Sequence, residues 1–86
     1  MKGRRFKMGV ISMDVVSSWG KALGQKIQEA IPPGSKVIKH DEEFETASLL
    51  VLIYHDDFEV LPEGVLVPRV VLELTAKEEG LIQTVN

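Results

Sequence analysis

Residues 36–54 read KVIKHDEEFETASLLVLIY, and the fold class turns on how this stretch returns on itself. Lys36–His40 alternates enough to form a short strand. Leu49–Tyr54 is an unbroken apolar run rich in branched side chains, so it needs cover on both faces and belongs at the centre of a sheet. The acidic stretch Asp41–Thr46 between them predicts a turn or a single helical turn. Only seven residues, Asp41 to Ala47, link the two strands. A parallel return takes about a dozen or more, whereas a hairpin closes over a handful. The spacing therefore predicts an antiparallel return, with an all-parallel arrangement as the competing reading.

On the N-terminal side, Phe6–Met13 is a mostly apolar strand candidate that Asp14 ends. Beyond it the period changes. Val16, Trp19, Leu23, Ile27, Ala30 and Ile31 fall on one face of a helix, and Lys21, Gln25, Lys26, Gln28 and Glu29 fall largely on the other. Ser17 is the expected N-cap, and Pro32-Pro33-Gly34 stops the helix. Gly20 and Gly24 share a helix face, which predicts a close backbone approach to the sheet or to a second copy. Trp19 is expected in the core.

On the C-terminal side, Leu61–Gly64 is a turn and Val65–Leu74 a further strand candidate. Pro68 lacks a backbone donor, so that strand starts after it or lies at an edge. The expected order is β-α-β-β-β. The fold class is α+β, a mixed sheet with one helix on one face; the alternative is an α/β, all-parallel core. Strands one and two, flanking the helix, are expected to run parallel as neighbours or near neighbours.

The 86 residues fit a single small domain spanning 1–86, with the basic leader 1–5 and the weakly patterned tail 76–86 as its looser ends. A chain this short buries only about 60–65% of its unfolded surface, so association with another copy would add to its stability. There is no cysteine, which excludes disulfides, thiol nucleophiles and thiolate metal sites. The longest apolar run is too short for a bilayer, and the stretch after the basic leader is broken by Ser12 and Asp14, unlike a secretory signal. A cytoplasmic protein without membrane contact is the expectation.

The net charge of −3 conceals a sharp division. Residues 1–39 carry eight cations against two acids, a balance of +6, and residues 40–86 carry two cations against eleven acids, a balance of −9. Opposite halves attract within one fold, and the same dipole favours head-to-tail or two-fold self-association.

Three groups of residues qualify as candidate sites. Ile11–Asp14, Ile38–Asp41 and Ile53–Asp56 share the pattern Ile-x-x-Asp, the last two with histidine before the aspartate. With all strands parallel, Asp14, His40, Asp41, His55 and Asp56 would meet at one sheet edge and could hold a metal or small ligand, or exchange protons. With a hairpin, His40 and His55 fall at opposite ends, about 20 Å apart. Asp also simply begins turns. The second group, Ser17, Ser18 and Lys21, would cradle an anion at the helix start, although capping alone explains the serines. The third group, Lys2, Arg4, Arg5 and Lys7 around Phe6, would give a weak, salt-sensitive contact with nucleic acid, against which stands a pI near 5.3. No phosphate loop, nucleophile elbow, zinc-binding helix or heptad seam is present, and no motif calls for a cofactor.

These observations favour a non-enzymatic binding or protein-interaction module that associates with itself or with another protein. A small-molecule ligand is the next partner in order, and nucleic acid ranks below it.

Overall fold

The structure is a computed structural model and describes residues 3–76. Strand β1 spans Phe6–Ser12, and the chain then enters a helical arm made of α1 (Met13–Trp19), a 3-10 turn (Gly20–Ala22) and α2 (Leu23–Ala30). Strands β2 (Lys36–Glu43), β3 (Ser48–Tyr54) and β4 (Arg69–Val71) follow. The sheet order is β2-β3-β1-β4. β3 is antiparallel to both β1 and β2, and β4 is parallel to β1. The fold is α+β with a mixed sheet and the helical arm packed on one face, as the short link between β2 and β3 predicts.

β1 and β2 do run parallel, with β3 inserted between them. The insertion follows from composition. Ser48–Tyr54 is the most apolar strand, and the interior position covers it: Val51 is 0% exposed and Ile53 2%. The core lies between the arm and the sheet, where Ile27 and Ile31 meet Ile11, Val51, Ile53 and Leu72. Gly9 on β1 belongs to this face. A Cβ there would lie 2.8 Å from the Leu72 side chain, so the glycine makes room for Leu72 over the strand.

Three local expectations need correction. The helix begins at Met13 with Ser12, not Ser17, as its N-cap: the Ser12 hydroxyl accepts from the Asp14 backbone N–H at 3.3 Å. The arm is broken at Gly20, whose φ of 53° and ψ of −122° suit glycine alone, and neither Gly20 nor Gly24 has a neighbour within 4 Å of an added Cβ. The pair therefore makes no close approach among the described residues. Finally, Asp41–Glu43 continue β2 and are not a turn; the turn is Phe44–Ala47, closed by the Ala47 N–H donating to Phe44 O at 3.2 Å. β2 is a sheet edge, exposed except at Val37 and Glu43, and such a strand has no need of an apolar pattern.

Among the described residues no helix lies over the second sheet face, yet Leu50 is 8% and Tyr54 4% exposed. Arg69 on edge strand β4 makes a bidentate bond to Glu43 on the opposite edge strand β2, both contacts at 2.8 Å. From the register, Arg69 is level with Met8 and Glu43 with Ser48. In a flat sheet their Cα atoms would stand about 19 Å apart, too far for one arginine and one glutamate to span. The pair therefore requires a strongly coiled sheet, concave on the face of Met8, Val10 and Leu50, with the ion pair running diagonally across it.

Candidate functional site

The hairpin disperses the strand-end histidine and aspartate residues. His40, on the edge strand β2, pairs with Val51 midway along β3, Asp41 pairs with Leu50, and His55 follows Tyr54 at the far end of β3. The two histidines are separated by four positions along β3, about 13 Å. Asp14 sits in the first turn of α1, at the other end of the sheet, next to the Ser12–Ser48 pair. Among the described residues no group of three or more histidine and acidic side chains could share a metal ion. The proposed set Asp14, His40, Asp41, His55 and Asp56 is thus not brought together, because a hairpin reverses the strand that a parallel return would have aligned.

His55 has a structural position. Its Nδ1 accepts the Asp57 backbone N–H at 3.0 Å, which leaves the proton on Nε2, and Nε2–H donates to Pro33 O at 2.8 Å. The ring also lies 5.4 Å from that of Phe58. The imidazole thereby fastens the turn after α2 to the loop after β3. Asp56 accepts from the Tyr54 hydroxyl at 2.8 Å, and Asp41 accepts the Glu42 backbone N–H at 2.9 Å.

The anion group moves off its helix start. With Ser12 as the cap, Ser17 and Ser18 lie inside α1, and Ser18 donates to Val15 O at 2.8 Å. Lys21 is in the exposed 3-10 turn. Of the basic leader, Lys2 lies outside the described residues. Arg4 donates to Pro62 O at 2.6 Å and Val65 O at 3.1 Å, Arg5 donates to Phe58 O at 2.8 Å, and Lys7 stands 4.6 Å from the Phe58 ring centroid. Backbone bonds from Leu61 N to Arg4 O and from His55 N to Arg5 O add to the same seam. The basic residues stitch the loop 55–65 onto the strand.

Trp19 is half-buried and outside the central cluster. Its Nε1–H donates to Thr75 O at 2.8 Å, and Lys26 Nζ sits 4.6 Å above the ring. Between the end of α2 and β4 lies an open cleft of about 430 Å³, with Ile31, Ile53, Phe58 and Leu72 on its walls and Lys7 and Glu73 at its sides.

The remaining features are surface ones. Large apolar side chains stand out at Phe44 (96% exposed), Leu66 (88%) and Val71 (78%). The outer edge of β2 runs for eight residues, and among the described residues no helix or strand other than β3 packs on it. The acidic half of this strand is the stretch whose composition predicts a turn; along the strand the charges are ordered, Lys36 and Lys39 first and Asp41, Glu42 and Glu43 after.

No family model, curated protein or solved structure matches the chain. Among the described residues no helix is long and apolar enough to cross a membrane.

Proposed function

We propose that the chain is a non-enzymatic interaction module that works by associating with itself. The observation that carries this reading is, among the described residues, the long uncovered edge of β2 together with the exposed large apolar side chains of Phe44, Leu66 and Val71. An open edge offers unpaired backbone donors and acceptors to another strand, and a core with eight buried apolar side chains among the described residues gains from additional cover. The charge division between the two halves of the chain supports the same reading. Light scattering of the full chain over a micromolar dilution series tests it. The reading requires a mass above 9.6 kDa that falls on dilution. A constant 9.6 kDa would contradict it.

A further inference from the structure

Resting on that reading, we infer which surface joins the copies: the outer edge of β2 pairs with the same edge of a second copy, antiparallel, across a two-fold axis at His40. The two sheets then continue into one of eight strands.

The order of charge along β2 and its bulge select this register. Cross-strand partners share a face of the sheet. Through its register with β3, β2 presents Lys36, Lys39, Asp41 and Glu43 on the concave side and Val37, His40 and Glu42 on the helix side, with Ile38 left unpaired where the register shifts. With the axis at His40, Lys39 lies opposite Asp41 of the second copy. Passing the unpaired Ile38, Val37 lies opposite Glu42 and Lys36 opposite Glu43. Symmetry repeats each contact, so each lysine on the concave side lies opposite an acid: Lys39 opposite Asp41, and Lys36 opposite Glu43, which also holds Arg69. The bulge thus keeps both lysines in phase with both acids.

Other arrangements put like charges together. A slide of two residues sets Asp41 on Asp41 or Lys39 on Lys39 at the axis. A parallel partner in register sets lysine on lysine and acid on acid along the whole strand. Charge on an edge strand commonly guards it against pairing. Here the signs are segregated along the strand, which excludes parallel copies and favours the two-fold register at His40, with four attractive pairs, over the shifted ones, with two attractive pairs and one like pair at the axis.

Sedimentation equilibrium of the full chain and its variants tests this, with circular dichroism to verify folding. Lys39→Glu and Asp41→Lys, both at exposed positions, should each raise the dissociation constant about tenfold or more, since each turns two attractive pairs into repulsive ones. An equimolar mixture of the two single variants should associate again as a heterodimer, and so should the double variant with itself. The absence of native cysteine allows a direct check. His40→Cys should form a covalent dimer on mild oxidation, and Gln28→Cys on the helical arm should not. If the unmodified chain associates while Lys39→Glu and Asp41→Lys leave it unaffected and His40→Cys fails to cross-link, another surface joins the copies; this proposal falls and self-association stands. A chain monomeric at every concentration leaves the edge to a different protein and overturns both.

Discussion

Glu43 shows how one side chain can report on the shape of the sheet. Arg69 donates two hydrogen bonds to its carboxylate and Thr46 a third, all at 2.8 Å, and these hold its pKa at about 2 against an ordinary 4.5. The folded value lies below the unfolded one. The stabilisation is therefore fully present above about pH 4.5 and is lost as the pH falls towards 2. Carboxyl-carbon NMR should give Glu43 a midpoint near 2. Arg69→Gln should move that midpoint back towards 4.5. A midpoint near 4.5 in the unmodified chain would mean that the edges do not meet across the concave face. His55 is the second informative residue. Replacing it with alanine removes the bonds to Pro33 and Asp57 and should cost about 1–2 kcal/mol in urea unfolding. A variant as stable as the parent would show that the imidazole fastens nothing.

At the scale of elements, the two helical glycines have opposite roles. Gly20 holds a conformation that other residues enter only with strain and has open space around it, so Gly20→Ala should destabilise through the backbone alone, by about 1–3 kcal/mol. Gly24 is inside α2 with no neighbour near, so Gly24→Ala should stabilise by about 0.5–1 kcal/mol. Thermal melts of the two variants should move in opposite directions; equal shifts would contradict a broken arm. The apolar spacing of Val16, Trp19, Leu23 and Ile27 concealed this break, because a three-residue 3-10 turn keeps the stripe on roughly the same side. The hairpin was legible from the length of its link and the central strand from its unbroken apolar run. The outer half of β2 was not, because an edge strand facing solvent carries no hydrophobic period to read. The dispersal of His40 and His55 followed from the hairpin. The role of His55 did not, since it depends on a carbonyl twenty-two residues away.

Across the whole molecule, the charge division visible in the sequence changes sign between Lys39 and Asp41, within the longer of the two edge strands among the described residues. The basic leader spends its arginines on the loop 58–65, so the charge left to act outward along β2 is ordered by sign. Association through such a strand should weaken as salt screens the pairs, with the dissociation constant rising steadily between low and physiological ionic strength. Insensitivity to salt would point to the exposed apolar groups as the joining surface. The most direct test of the central claim is sedimentation velocity of the unmodified chain from about one to a few hundred micromolar, a range wide enough to bracket modest affinities. Pairing of the chain with itself gives a concentration-dependent shift towards twice the 9.6 kDa chain mass. A single species of 9.6 kDa throughout would contradict it.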